Sequence, residues 1–122
     1  MTRTDKRIGI IGAMDVEVEF LRNAMRSEGP VETKCIAAME CTAGTLSGVP
    51  VVVAQCDVGM VNAAAFTQML IDRFDVTGIV NTGVAGSLDA TIDIGDIVVA
   101  TDAVNHIMDV GNLGYSPGQT PG

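Results

Sequence analysis

Short apolar runs alternate along this chain with longer segments in which apolar residues recur every three or four positions. The run Ile8-Gly9-Ile10-Ile11-Gly12 predicts a buried strand over residues 7–12. A helix is then expected from Asp15, with Val16 and Phe20 on its apolar face, joined by Leu21 and Ala24, and with Ser27-Glu28-Gly29-Pro30 ending it. Residues 40–46 and 50–55 read as two strands of a hairpin across the turn Ser47-Gly48. Residues 58–74, VGMVNAAAFTQMLIDRF, make the strongest helix, apolar on most sides and so expected to be buried or to lie at a subunit interface. Further strands are expected at 78–83 and 94–102, the first running into the small-residue loop TGVAGS. From residue 105 onward the periodicity stops and Gly111, Gly114, Gly118, Gly122, Pro117 and Pro121 accumulate. Loops of such length inside compact domains are functional or disordered. Apolar strands with helices between them indicate an α/β domain whose sheet is covered on both faces.

Composition narrows the function classes. Fifteen Asp and Glu against seven Lys and Arg leave a net charge of −8, with no basic patch to neutralise phosphates. Aromatics are 3% of residues, too few for a base-stacking platform, so nucleic acid is excluded as a partner. Hydrophobic residues reach 48%, yet no apolar run approaches the roughly 18 residues of a membrane span. The charged start MTRTDKR precedes only a short apolar segment, so neither a signal peptide nor a membrane partner is expected. Cys35, Cys41 and Cys56 have no metal-ligand or disulfide spacing and are expected to be buried, reduced thiols of a cytoplasmic protein. No metal and no cofactor is expected, because His, Cys and carboxylates do not cluster at ligand spacing.

Three carboxylates, Asp15, Glu17 and Glu19, crowd the mouth of the first strand. Acids in the first turn of a helix complement its dipole, and by residue pattern alone that is the plainer reading of Glu17. The other reading is chemical: open α/β sheets bind ligands beyond the carboxyl ends of their strands, which is where Glu17 falls. Asp93 and Asp96 flank Gly95 and read as turn chemistry. His106, the one histidine, has the plain reading of a solvated loop side chain, with its spacing to Asp109 as a possible ordering device for the loop.

Three stretches, IGIIGAMDVEVEFL, IVNTGVAGSLDATIDIGDIVVATDA and HIMDVGNLGYSPGQTPG, together with VGMVNAAA between them, resemble the 5'-methylthioadenosine/S-adenosylhomocysteine nucleosidases of the nucleoside phosphorylase superfamily. The resemblance implies a three-layer α/β/α nucleoside phosphorylase-like fold with a mixed, largely buried central sheet, incomplete in this chain. Residues 1–122 are then the N-terminal half of a single domain. The implied reaction is hydrolysis of the N-glycosidic bond of methylthioadenosine and adenosylhomocysteine, with 5'-deoxyadenosine as an open extension. Adenine and the thioribose are released, as in methionine salvage. A futalosine-type nucleoside hydrolase and an inactive fragment or assembly module stand as alternatives.

Residue by residue, the resemblance makes Glu17 the catalytic carboxylate that holds and deprotonates the attacking water. It puts Ala13, Met14, Val58, Val84, Ala85, Gly86, Leu113 and Pro121 against the nucleoside. Superfamily phosphorylases carry a basic residue in the first loop to hold phosphate; the acidic Asp15-Val16-Glu17 would repel it. Val84 stands where a hydroxyl is common, and a valine cannot hydrogen-bond a phosphate oxygen. Leu113 stands where an aromatic is common. The resemblance further implies a homodimer in which the loop 105–122 reaches the neighbouring subunit's site. The glutamate that grips the ribose and the aspartate that protonates the purine find no match in this sequence.

Overall fold

The computed structural model describes residues 6–119, which fall into two compact units divided between Gly86 and Ser87. The first unit contains β1 (Ile8–Gly12), α1 (Asp15–Glu28), β2 (Glu32–Ile36), β3 (Met39–Leu46), β4 (Val49–Gln55), α2 (Met60–Phe74) and β5 (Gly78–Asn81). Its five strands form one sheet in the order β2-β3-β4-β1-β5. β1 lies between β4 and β5 and is parallel to both, with Ile10 opposite Val53 on one side and Val80 on the other. β3 runs antiparallel to β4 and to β2, so the sheet is mixed.

Strand alternation sends side chains to opposite faces, and the two helices cover those faces. Ile10, Val51 and Val53 pack with Val18 and Met25 of α1. Ile11, Val52 and Ala54 pack with Leu70 and Phe74 of α2. The unit is therefore a three-layer α/β/α arrangement, as the resemblance implies, with the sheet covered on both faces as the apolar runs imply. Fully burying one of these Val, Leu or Met side chains stabilises the fold by about 1.5–3 kcal/mol.

The helix faces differ from those read off the sequence. Val16 and Phe20 are exposed, and α1 buries Val18, Arg22 and Met25 instead. Those three share a stripe at spacings of four and three, flanked by the half-buried Leu21 and Ala24, while Glu19, Phe20 and Asn23 turn outward. α2 begins two residues later than expected and buries Leu70 and Phe74 among the described side chains; Met60 and Val61 stay exposed. β2, ETKCI, was not anticipated because it is an edge strand with almost no buried residue, so it lacks the alternation that marks a half-buried strand. Cys41 and Cys56 are buried thiols as expected, but Cys35 sits on β2 and is exposed.

The second unit is built from local turns and one 3-10 turn, Gly111–Leu113. Residues 94–102 do not form the expected strand: no described segment pairs with them, and Ile94, Ile97 and Val99 are exposed. A strand needs a hydrogen-bonded neighbour, and an apolar run alone does not supply one. The Asp93–Asp96 turn does form, with the Asp96 N–H donating to the Asp93 carbonyl at 3.1 Å and the Asp93 N–H to Asp96 Oδ2 at 2.9 Å. His106 is exposed, and Asp109 orders the chain by accepting the Gly111 N–H at 3.0 Å. No helix among the described residues is long and apolar enough to cross a membrane.

Candidate active site

The carboxyl ends of β1, β4 and β5 are tied together by backbone bonds that extend the parallel ladder. The Cys56 N–H donates to the Gly12 carbonyl at 2.8 Å, and the Thr82 N–H to the Ile11 carbonyl at 2.9 Å. Three connections therefore leave one edge of the sheet: Ala13-Met14 into α1, Asp57-Val58-Gly59 into α2, and the loop Thr82–Gly86 after β5. Gly12 is required where the first of them turns, because a Cβ there would lie 2.7 Å from Val18 Cγ1.

Glu17, in the first turn of α1, links two of these connections. Its Oε2 accepts the N–H of Met14 at 2.9 Å and its Oε1 accepts the N–H of Val84 at 3.2 Å. Met14 is the N-cap, has no side-chain cap bond, and leaves an amide that Glu17 satisfies from the N3 position. The structural role anticipated for a first-turn acid is thus real. A cap does not need the second bond, which crosses to the loop after β5. Gly83 makes room for it, since a Cβ on that residue would lie 2.7 Å from Glu17 Oε1.

These amides set the charge of the group. The Met14 amide, and after it the Val84 amide, hold the Glu17 carboxyl below its ordinary value of 4.5; partial burial opposes them and the Ala13 amide adds a smaller lowering. Each carboxylate oxygen has about two lone-pair sites and gives one to an amide, so each keeps one for an incoming O–H donor. The result is an ionised, oriented carboxylate at the mouth of the sheet. Beside it lies the Cys56 thiol, which burial pushes above the ordinary thiol range, with the charges of Asp57 and Glu17 adding to the rise. A protonated, buried thiol is a poor nucleophile.

The structure brings Ala13, Met14, Glu17 and Val84 together through these bonds, and Ala85 and Gly86 continue the same loop. The side chain of Val84 is exposed and only its amide engages Glu17. A Cβ built on Gly86 would meet nothing within 4 Å, so the backbone there is open to approach. Val58 is exposed in the connection after β4, whose last strand neighbours β1. Leu113 is exposed in the second unit, and Pro121 lies outside the described residues. Among the described residues, no group of three or more His, Cys, Asp and Glu side chains is placed to hold a metal ion.

Sequence reasoning missed Arg22. It is 5% exposed on the sheet-facing side of α1, with Nη1 2.9 Å from Asp15 Oδ1 and Nη2 donating to the Glu40 carbonyl at 3.1 Å. The signal was present as an arginine seven positions, about two helical turns, after an acid at a helix start.

A family model described as the phosphorylase superfamily matches residues 7–121. The 5'-methylthioadenosine/S-adenosylhomocysteine nucleosidase of Bacillus subtilis is 40% identical over 116 residues, covering 95% of this chain and 49% of that protein. Among solved structures, the nucleosidase of the same name from Colwellia psychrerythraea 34H, in complex with adenine, aligns with a TM-score of 0.90 at 40% identity over 97% of this chain and 48% of its own. A futalosine hydrolase mutant of Helicobacter pylori aligns with a TM-score of 0.84 at 27% identity, over 95% of this chain and 51% of its own. The chain spans about half the length of the curated relatives it matches.

Proposed function

The chain belongs to the phosphorylase superfamily, and from that premise we propose that it serves hydrolysis of the N-glycosidic bond of 5'-methylthioadenosine and S-adenosylhomocysteine, releasing adenine and the thioribose. The observation that carries this reading is the Glu17 carboxylate, held ionised between the amides of Met14 and Val84 at the carboxyl end of the sheet. Its free lone pairs take a proton from water as the oxygen attacks the anomeric carbon, and its charge offsets the positive charge developing on the ribose. Relatives bearing the nucleosidase name at 40% identity support the substrate class.

Water rather than phosphate is the acceptor in this reading. The two amides at this corner are already taken by a fixed negative charge, and a second anion there would be repelled. Ala13, Met14, Val58, Ala85, Gly86 and the Val84 backbone form the nucleoside-facing surface of this half of the site. Bond cleavage also needs an acid for the purine and a group for the ribose hydroxyls, as in two-carboxylate glycosidases. We assign both to the part of the curated relatives that this chain does not span. Leu113 and Pro121 cap the 5' substituent of a neighbouring subunit in a homodimer, in a cytoplasmic enzyme of methionine salvage.

Adenine release from methylthioadenosine without phosphate, by a protein that joins this half to one supplying the acid and the ribose-binding group, tests the proposal, with futalosine offered in parallel. Release that is independent of phosphate and lost in Glu17→Gln is expected. Turnover that requires phosphate would overturn hydrolysis, and turnover of futalosine alone would move the substrate to the class named by the Helicobacter pylori structure.

A further inference from the structure

Arg22 is a buried cation that the reaction described above does not touch. Its Nη1 pairs with Asp15, the first residue of α1, and its Nη2 with the Glu40 carbonyl near the start of β3; the Glu40 carboxylate lies 3.8 Å from Nη1. Its Nε has no partner among the described residues. Such a group is costly to bury, and an apolar side chain of similar volume is commonly neutral or stabilising in its place. What the guanidinium supplies instead is a rigid fork that fixes one atom of the helix start to one atom of the sheet. Asp15 and Glu17 share the first turn of α1, so the point fixed by Arg22 is the origin of the turn that carries Glu17.

We propose that Arg22 is a positioning residue for Glu17: by clamping Asp15 to β3 it sets where the first turn of α1 begins, and so keeps the Glu17 carboxylate within reach of the Met14 and Val84 amides. This rests on the reading of Glu17 as the reaction's base. A misplacement of about 1 Å in a reacting group costs up to a hundredfold in rate, so a clamp at this point acts on chemistry from outside the site.

The test is a carbon-13 titration of the Glu17 carboxyl, together with the Met14 and Val84 amide signals, in the chain and in its Arg22→Met and Asp15→Ala variants. The clamp predicts that the Glu17 midpoint rises toward 4.5 in both variants and that both amide signals move. Asp15→Ala separates the clamp from simple charge effects. Removing a neighbouring negative charge would by itself lower the Glu17 midpoint, so a rise is a loss of geometry. The Asp15 side chain is 63% exposed and its truncation opens no cavity in the core, so this variant is read where Arg22→Met fails to fold. An unmoved or lowered midpoint in Asp15→Ala, with both amides in place, would overturn the proposal. These signals report where the carboxylate sits and not turnover, so the clamp and the hydrolase reading fail separately.

Discussion

Glu17 and Val84 stand 67 positions apart, yet the Val84 N–H donates to Glu17 Oε1 at 3.2 Å. That bond joins the connection after β1 to the connection after its neighbour β5. It makes one side chain serve at once as a helix cap, a loop tie and a candidate base. Substitutions at the site therefore act on more than one of these roles, and their readouts have to be separated.

Glu17→Gln is the most direct. The amide keeps the size of the side chain but removes the charge and offers an NH2 where one of the two backbone donors needs an acceptor. Adenine release should fall about 10²–10⁴-fold, the usual worth of a general base, in single-turnover measurements. A residual rate near that of the parent would show that another group activates water.

Stability should depend on pH through the same carboxylate. Its folded pKa is depressed below 4.5, so the stabilisation is complete above that value and is lost as pH falls through the folded pKa. Urea midpoints of the parent and of Glu17→Gln should differ most near neutrality and converge in acid. A difference that grows on acidification would reverse the sign argued here.

Gly83→Ala should separate position from charge. The added Cβ would come within 2.7 Å of Glu17 Oε1, and the carboxylate must move to admit it. Gly83 lies in an exposed loop, so the thermal midpoint should change little while turnover drops. Equal loss of fold and turnover would mean that the loop is structural. Gly12→Ala is the contrasting case: its Cβ would meet the buried Val18, and overpacking there should cost about 1–3 kcal/mol in urea unfolding.

The turn between β2 and β3 holds a stabilising substitution. Ala37 and Ala38 both adopt left-handed backbone, φ 50° and 66°, in a two-residue hairpin connection. Glycine, and asparagine through its local hydrogen bonds, suit those positions, whereas alanine is disfavoured there by about 1–2 kcal/mol. Ala38→Gly should raise the urea midpoint, with a gain of about 1 kcal/mol. An unchanged midpoint would show that the turn relaxes at no cost.

How far the sequence reaches depends on what each element packs against. β1 and β4 were legible because their apolar runs lie in the core, and β3 because the turn Ser47-Gly48 ties it to β4. Local signals also marked both helices, but not their faces: which stripe of α1 turns inward is decided by the pairing of Val18 and Met25 with Val51 and Val53, a tertiary fact. β2 lies at an edge and its register comes from β3 alone, so nothing in ETKCI announces it. Residues 94–102 show the reverse case, an apolar run without a neighbour to pair with among the described residues. Glu17 was legible as a candidate from its place at the mouth of a strand, but its bond to Val84 was not, since nothing local links positions 67 apart. Arg22 was overlooked because an arginine in an acid-rich helix reads as solvated; its spacing from Asp15 hints at their pair, and only the fold brings the Glu40 carbonyl to it.

The place of β1 between two parallel neighbours has an evolutionary corollary. With β4 and β5 parallel to it on either side, three short connections emerge at one rim while the hydrophobic layers lie beneath them. A lineage can then exchange acceptor or substrate preference by altering positions 13–17, 56–59 or 82–86 one connection at a time, leaving the layers below intact. The same rim can host a fixed acid in one descendant and a bound anion in another. Divergence in chemistry on this scaffold is therefore cheap in stability, and related sequences should differ most in what these three connections carry.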